Sequence, residues 1–168
     1  MGKTGIGIFG LVFAAFAAVA AGTSTPKGFT DDLDAAMKRA KANGHNILAV
    51  FSGSDWCIWC KMLEKEILSK DAFVKTATNA YELVFIDNPM DEKLLSKTGR
   101  KNNRRLTEKY GIQGFPTVLV LDADGEVVTQ SGYRKVAPQE YLSHIDAAID
   151  ASRAKKEKSG SETPESSK

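Results

Sequence analysis

The apolar run at residues 47–51 is uninterrupted and is closed by Ser52, Gly53 and Ser54. A run of that length and flanking predicts a strand that is buried on both faces. Strands separated by helices are joined by parallel crossovers, whereas Asp124-Gly125 is a strong signal for an antiparallel hairpin. The expected fold class is therefore α/β with a mixed sheet. Apolar spacing and turn residues predict a helix at 29–43, this strand, a helix at 57–69, a short helix at 71–78, a strand at 81–86, a helix covering at least 103–110, paired strands at 117–121 and 126–130, and a helix at 138–151.

Two cysteines, Cys57 and Cys60, lie three residues apart at the start of the helix predicted at 57–69. On the first turn of a helix both thiols face the same side, so a disulfide between them is sterically reasonable. The unpaired N–H groups and the positive end of the helix dipole stabilise the thiolate of Cys57. A thiolate attacks disulfides, and Cys60 is placed to resolve the mixed disulfide by attacking Cys57. The spacing therefore predicts a dithiol that carries two electrons.

Three other uses of this cysteine pair compete with redox chemistry. A zinc site needs four ligands, but the two histidines, His45 and His144, are far apart and lack paired ligand spacing. A c-type haem needs a histidine directly after the second cysteine, where this chain has Lys61. A purely structural disulfide stays open, because an oxidising compartment permits one. A loop of two residues nevertheless removes little entropy from the unfolded chain, so stability is a weak reason to keep such a bridge.

Two segments resemble the active-site segments of the thioredoxin superfamily. The first, at 54–61, reads Ser-Asp-Trp-Cys-Ile-Trp-Cys-Lys and contains that family's Trp-Cys-x-x-Cys-Lys pattern. The second, at 110–117, reads Tyr-Gly-Ile-Gln-Gly-Phe-Pro-Thr and resembles the family's cis-proline segment. The resemblance covers residues 29–151 and is closest to exported bacterial thioredoxin-like domains. It implies a thioredoxin-like fold, with a four- to five-stranded sheet flanked by helices, and thiol–disulfide oxidoreductase activity on proteins.

The resemblance also implies roles for individual residues. Cys57 would be the nucleophile and Cys60 the resolving cysteine, and the peptide bond between Phe115 and Pro116 is expected to be cis. The backbone of Phe115 would pair with an extended client, and Pro116 adds no donor beside the dithiol. The segment looks like reducing and isomerase-type domains, so we expect reduction or isomerisation rather than oxidation, with a membrane-bound dithiol as electron donor. Because the dithiol is itself the redox centre, no soluble cofactor is expected.

The sequence departs from the family pattern at two places. Thioredoxins carry a buried aspartate on the strand before the motif, which helps to take the proton from the resolving cysteine, whereas this chain has Val50 or Phe51 there. Water or Asp55 would then provide the route for that proton. The second departure is Ile58-Trp59 between the cysteines, an apolar pair without a charge that would set the direction of electron flow.

The residues around the cysteines carry competing interpretations. Trp56 and Trp59 provide an apolar platform for client chains, or they simply pack against the helix. Lys61 raises the local potential in favour of the Cys57 thiolate, or it is a surface lysine that serves solubility. Basic side chains between residues 97 and 109 attract acidic clients or anionic lipid headgroups, or they form a solvated helix face. The competing function is a thioredoxin-like scaffold that binds partner proteins at this site without turnover.

The two ends of the chain lie outside the domain, which is predicted at 29–152. After Lys3, the sixteen uncharged and mostly apolar residues 6–21 would form a helix of about 24 Å, shorter than the bilayer core of about 30 Å. Small residues at 18–22 offer a cleavage site, so 1–21 is predicted to be a secretory signal peptide, with an uncleaved N-terminal anchor as the alternative. Either would put the domain outside the cytoplasm, as in a periplasm. A short linker at 22–28 follows the signal, and the polar segment 153–168 is predicted to be a disordered tail.

The charge balance of the chain bears on its partners. With 23 Lys and Arg against 21 Asp and Glu, the formal net charge is +2. Proteins that bind nucleic acid have a much more basic field, so nucleic acid is not an expected partner. Client proteins with cysteines or disulfides are expected instead.

Overall fold

The computed structural model describes residues 24–161. The predicted signal peptide at 1–21 and the last residues of the predicted tail, 162–168, lie outside the described residues. Between 24 and 161, no helix combines the length and the apolar composition that crossing a membrane requires.

Within the described residues, five α-helices and four β-strands follow one another in the predicted order. Their bounds are α1 (Leu33–Asn43), β1 (Asn46–Ser52), α2 (Ile58–Leu63), α3 (Asp71–Ala77), β2 (Tyr81–Asp87), α4 (Lys97–Lys109), β3 (Thr117–Leu121), β4 (Val127–Ser131) and α5 (Pro138–Ser161). One π-helical turn, Glu64–Leu68, continues α2, and a short 3-10 helix, Glu92–Leu94, precedes α4.

The four strands form one mixed sheet in the order β2-β1-β3-β4. β1 pairs with β2 in parallel, from Asn46 opposite Tyr81 to Ser52 opposite Asp87, and it pairs with β3 in antiparallel orientation. β3 and β4 are also antiparallel, as expected for a hairpin. The predicted α/β class with a mixed sheet is confirmed, and β1 lies in the interior of that sheet.

Both faces of β1 are buried because its side chains alternate between two hydrophobic clusters. Leu48 and Val50 belong to the cluster that contains residues of α2, α3 and α5. Ile47, Ala49 and Phe51 belong to the cluster that contains residues of α1 and α4. Helices therefore cover both sides of the sheet, and the strand that leads to the cysteines is buried on both faces, as predicted.

The first helix begins later than predicted, at Leu33 rather than at residue 29. Thr30 is extended and forms a parallel bridge with Val84 of β2, so the chain cannot be helical there. The Asp32 carboxylate accepts a hydrogen bond from the next turn and caps α1, as its position in the sequence suggests. Gly44 ends α1 in a left-handed conformation, with a φ of 69°, which glycine adopts at little cost.

Two other helices differ from their predicted bounds. The helix predicted at 57–69 changes to π geometry after Leu63, and the π turn places both Ile67 and Leu68 in the core. Helix α4 begins at Lys97, before the predicted minimum of 103–110. The Ser96 hydroxyl caps it by accepting a hydrogen bond from Gly99 N at 3.0 Å.

Helix α5 continues past residue 151, its predicted end, to Ser161. Residues 153–161, the first part of the tail predicted to be disordered, are therefore helical. This segment contains Ala, Lys and Glu, which have high intrinsic helix propensity, and the side chains of 153–158 are exposed. Extension of an existing helix by good helix formers, rather than burial, explains the difference.

Candidate active site

The cysteine pair lies where β1 gives way to α2. The Cys57 N–H donates a hydrogen bond to the Gly53 carbonyl at 2.8 Å, which turns the chain directly after the strand. Cys57 is the N-cap of α2, and its Sγ accepts a hydrogen bond from Cys60 N at 3.2 Å. A disulfide joins Cys57 to Cys60, and their Cα atoms are 5.3 Å apart. The helix start at the first cysteine and the pairing of the two sulfurs both agree with the sequence analysis.

The disulfide is nearly covered, although large apolar side chains next to it are exposed. Cys57 is 6% exposed and Cys60 is 3% exposed, so Cys60 is the less accessible of the two. Trp56 (44%), Ile58 (62%) and Trp59 (55%) are among the exposed large hydrophobic residues. Exposed apolar side chains grouped around a reactive bond are typical of a surface that binds another molecule.

The Trp56 indole is fixed by three neighbours. Its Nε1 donates a hydrogen bond to the Asn88 carbonyl at 2.9 Å, and its ring packs edge-to-face on Phe115 with the centroids 5.5 Å apart. The ring also lies so close to Gly53 that a Cβ at that position would overlap it. Phe115 is followed by Pro116, and the peptide bond between them is cis. The cysteine segment and the proline segment, far apart in the sequence, therefore meet at Trp56.

Trp59 packs against a residue that the sequence analysis missed. Its ring stacks on Tyr133, with the centroids 5.8 Å apart and the planes at 29°. Tyr133 follows β4, and its hydroxyl donates a hydrogen bond to Glu66 Oε2 at 2.6 Å, which raises the pKa of the tyrosine. No local sequence signal marks Tyr133, because it lies in a loop outside both active-site segments. Both tryptophans are thus packed on aromatic partners and exposed at the same time.

Asp55 and Lys61 tie the cysteine segment to its surroundings. The Asp55 carboxylate accepts hydrogen bonds from Met90 N at 3.0 Å and Asp91 N at 2.9 Å, so it holds the loop that follows β2. The hydrogen bond from Asp91 N is the main reason why the pKa of Asp55 is lowered. The Lys61 ammonium donates to the Asp55 carbonyl at 2.7 Å, on the turn directly before the first cysteine. Both side chains brace the turn that presents the dithiol.

The order of elements and the position of the cysteine pair match a known family. A family model described as a thioredoxin-like domain matches residues 33–149, which is more than half of the chain. The chain belongs to this family. The matched range of the thioredoxin-like domain contains both cysteines and the cis-proline segment, so the resemblance predicted from the sequence is confirmed.

Several known proteins are similar to this thioredoxin-like domain, and some of their names refer to disulfide chemistry. The chain is 28% identical to the disulfide bond reductase DsbH of Chlamydia pneumoniae over 114 residues, 68% of each chain. It is 29% identical to nucleoredoxin of Mus musculus over 105 residues, 55% of this chain but 24% of that protein. The solved structure of a DsbH oxidoreductase matches with a TM-score of 0.66 and 25% identity, over 77% of this chain and 88% of that one. A disulphide isomerase from Xylella fastidiosa Temecula1 matches with a TM-score of 0.51 and 25% identity, over 68% and 88%.

A Cys-x-x-Cys disulfide at a helix start, in a domain of this family and with relatives of this kind, is the arrangement of a redox-active dithiol. The thioredoxin-like domain described here is a thiol–disulfide oxidoreductase. The two cysteines of its Cys-x-x-Cys segment, Cys57 and Cys60, are joined in the structure by a disulfide.

Two acidic residues near the cysteine segment were not singled out from the sequence. Asp87, the last residue of β2, is 1% exposed, and its carboxylate accepts hydrogen bonds from Ser54 N at 2.8 Å and Ser54 Oγ at 2.6 Å. Glu64 lies one helical turn after Cys60, and partial burial raises its pKa, an effect to which the charge of Asp87 adds. β1 carries no acid, as predicted from the sequence, and among residues 24–158 the buried carboxylate is that of Asp87 on the neighbouring strand. The available signal was the strand predicted at 81–86, which an aspartate follows directly.

The predicted basic stretch lies on helix α4. All six of its cationic side chains are exposed, which agrees with a solvated helix face: Lys97, Arg100, Lys101, Arg104, Arg105 and Lys109. The Arg100 guanidinium also donates to the Leu95 carbonyl, so this charge helps to fix the loop that leads into the helix.

Proposed function

We propose that this domain reduces or isomerises disulfides of protein clients outside the cytoplasm, with Cys57 as the nucleophile and Cys60 as the resolving cysteine. The observation that carries the proposal is the disulfide at the first turn of α2, surrounded by exposed apolar rings. The N-cap position supports Cys57 as the attacking residue, because backbone N–H groups at a helix start stabilise a thiolate.

The reduction proceeds in two exchanges. The Cys57 thiolate attacks one sulfur of the client disulfide, a mixed disulfide forms, and the first client sulfur leaves as a thiolate. Cys60 then loses its proton and attacks the Cys57 sulfur, which re-forms the internal disulfide and releases the second client sulfur as a thiolate. Two electrons pass from the domain to the client. In isomerisation a client thiol, instead of Cys60, attacks the mixed disulfide, so no net electrons are transferred.

The proposed cycle needs a source of electrons. A dithiol donor must reduce the Cys57–Cys60 disulfide after each round of client reduction, and for an exported protein a membrane-bound dithiol is the class of donor that we propose. No soluble cofactor enters the cycle, because the dithiol is the redox centre. The names of relatives, a disulfide bond reductase and a disulphide isomerase, support reduction or isomerisation over oxidation. The apolar segment at 6–21 supports export, whether it is cleaved or retained as an anchor.

The proposed client site consists of Trp56, Trp59, Phe115 and Pro116. The backbone of Phe115 would pair with an extended client as an added strand. Pro116 has no N–H, so it leaves the space beside the sulfurs free of a competing donor. The contact between Trp56 and Phe115 supports this assignment, because it joins the two segments into one surface.

Reduction of insulin by dithiothreitol tests the catalytic role. Wild-type protein should accelerate the reaction, Cys57→Ser should lose the acceleration, and Cys60→Ser should accumulate a mixed disulfide with the client. Equal rates for wild type and Cys57→Ser would favour the alternative, a scaffold that binds partners without turnover.

The reduction potential tests the direction of electron flow. A potential near about −270 mV would make the domain a reductant, whereas one near about −120 mV would make it an oxidant and contradict the proposal. Cell fractionation of the full chain, with mass spectrometry of its N-terminus, tests export and cleavage. Recovery of the intact chain in the cytoplasm would contradict the proposed location.

A further inference from the structure

One aromatic pair adjoins each cysteine of the dithiol. Trp56, directly before Cys57, packs on Phe115, and Trp59, directly before Cys60, stacks on Tyr133. The first pair belongs to the client surface proposed above. The second pair contains Tyr133, which lies in the loop after β4 and therefore in neither the cysteine segment nor the proline segment.

Tyr133 is held by a hydrogen bond of its side chain and by a hydrogen bond to the residue before it. Its hydroxyl donates to Glu66 Oε2 at 2.6 Å, and the carbonyl of the preceding Gly132 accepts a hydrogen bond from the buried Tyr141 hydroxyl at 2.9 Å. A Cβ on Gly132 would lie 3.4 Å from the Pro116 carbonyl, so this loop is packed against the cis-proline segment. The ring is therefore fixed beside Trp59 and next to the segment proposed to bind the client backbone.

The exposure of the side chains around the cysteines indicates which substrate disulfides can gain binding energy from them. The two cysteines are nearly covered, whereas Ile58 and Trp59 expose most of their surface. A small disulfide would contact only the sulfurs of the two cysteines. A polypeptide client would in addition place the side chains next to its own cysteine against the rings of Trp59 and Tyr133. Burial of an apolar side chain there stabilises the complex by about 25 cal/mol per Å² of apolar surface.

We infer that Tyr133 is a specificity-determining residue of this site: together with Trp59 it binds an apolar side chain next to the client's cysteine. The substrate class is thus a disulfide within an extended, non-native polypeptide segment that carries an apolar residue beside the cysteine. Glu66 is a positioning residue, because it acts through the Tyr133 hydroxyl. The inference rests on the proposed function and narrows its substrate.

The test compares substrates that differ in one side chain. Two synthetic peptides are each closed by a single disulfide, and one has Leu and the other Ser directly before the first cysteine. Bis(2-hydroxyethyl) disulfide, which has no such side chain, reports the dithiol chemistry separately. With dithiothreitol as terminal reductant, we expect the wild-type KM for the Leu peptide to be about tenfold below that for the Ser peptide, equivalent to about 1.4 kcal/mol, at similar kcat.

Variants at the Tyr133 contact should reduce this discrimination. Tyr133→Ala should bring the ratio of the two KM values close to one. Tyr133→Phe and Glu66→Ala keep the aromatic ring but remove the hydrogen bond between residues 133 and 66, so binding must order the ring and the KM for the Leu peptide should rise about threefold. The matched control is Tyr110→Phe, which also removes a hydroxyl bonded to a loop carbonyl, that of Gly125 at 3.0 Å. That variant should keep the tenfold ratio.

A purely structural role for Tyr133 predicts a different result, because the rates with all three substrates would then fall together and the ratio would stay near ten. That outcome, or a wild-type ratio near one while all three substrates are reduced, would overturn the inference alone. If Tyr133→Ala does not fold, an unchanged ratio in both Tyr133→Phe and Glu66→Ala has the same meaning. Failure of the wild-type protein to reduce any of the three substrates would overturn the proposed function, and the inference with it.

Discussion

The buried carboxylate of Asp87, at the end of β2, accepts two hydrogen bonds from Ser54, three residues before the first cysteine. This contact joins the end of β2 to the turn between β1 and Cys57. Asp87→Ala leaves a partly buried N–H and hydroxyl of Ser54 without their acceptor, so we expect the free energy of unfolding to fall by about 2 kcal/mol. Urea unfolding of the oxidised protein, followed by far-UV circular dichroism, measures the loss.

A surface aspartate provides the matched control for this prediction. Asp124 forms an ion pair with Lys41 at 2.7 Å, but both side chains are largely exposed. Asp124→Ala should therefore cost no more than about 1 kcal/mol. If Asp87→Ala proved as mild as Asp124→Ala, the contact with Ser54 would not hold the turn.

Gly53 is required because the Trp56 indole occupies the space where a side chain would begin. Gly53→Ala should push the indole away from the Asn88 carbonyl and destabilise the protein by about 1 to 3 kcal/mol, as other overpacked sites do. Gly114→Ala is the matched control, since a Cβ at Gly114 would meet nothing within 4 Å. Near-UV circular dichroism and urea unfolding of both variants check the prediction, and equal stabilities would contradict it.

The strands were predictable because each is marked by a local pattern. The apolar run at 47–51 is unbroken, and the one at 81–86 is interrupted only by Glu82. The observed β1 and β2 extend beyond these runs by no more than one residue at either end. The first turns of α4 were not predictable in this way, because residues 97–102 contain no apolar side chain from which a period could be read. The cap at Ser96 was the signal for that helix start, and it consists of one residue.

The site was predictable only where its chemistry is local in sequence. The spacing of Cys57 and Cys60 and the position of the disulfide at a helix start follow from one short segment. Asp87 lies near the cysteine segment because β2 is the neighbour of β1 in the sheet. Tyr133 lies there because the loop after β4 brings its ring against Trp59. Pairing between distant segments is not encoded in any short pattern, so these two residues emerge only from the folded structure.

Partial burial of Glu64 raises its pKa above the value of the unfolded chain, with the nearby charge of Asp87 adding to the effect. The folded state therefore favours the protonated carboxyl, and this contribution to stability is present below the unfolded pKa and is lost as the pH rises through the folded pKa. Glu64→Gln has no proton to lose, so it should raise the unfolding temperature at pH 7 and have a smaller effect at pH 4.

Thermal unfolding at the two pH values checks the Glu64 prediction. Glu126→Gln serves as the control, because Glu126 is exposed in the hairpin turn. A gain in unfolding temperature that is larger at pH 4 than at pH 7 would have the wrong sign for a raised pKa.

The hydroxyl of Tyr141 lies in the core and donates a hydrogen bond to the Gly132 carbonyl, and burial raises its pKa to about 12. Tyr141→Phe leaves that carbonyl unpaired, so at pH 8 it should cost about 1 kcal/mol of the free energy of unfolding. The unfolded tyrosine ionises near its ordinary pKa of about 10, whereas the folded one resists ionisation, so wild-type stability falls as the pH rises above about 10. Phenylalanine does not ionise, and the advantage of wild type over Tyr141→Phe should therefore shrink between pH 8 and pH 11. Urea unfolding of both proteins across this range measures the difference, and an advantage that grows with pH would show that the phenol is not held neutral by burial.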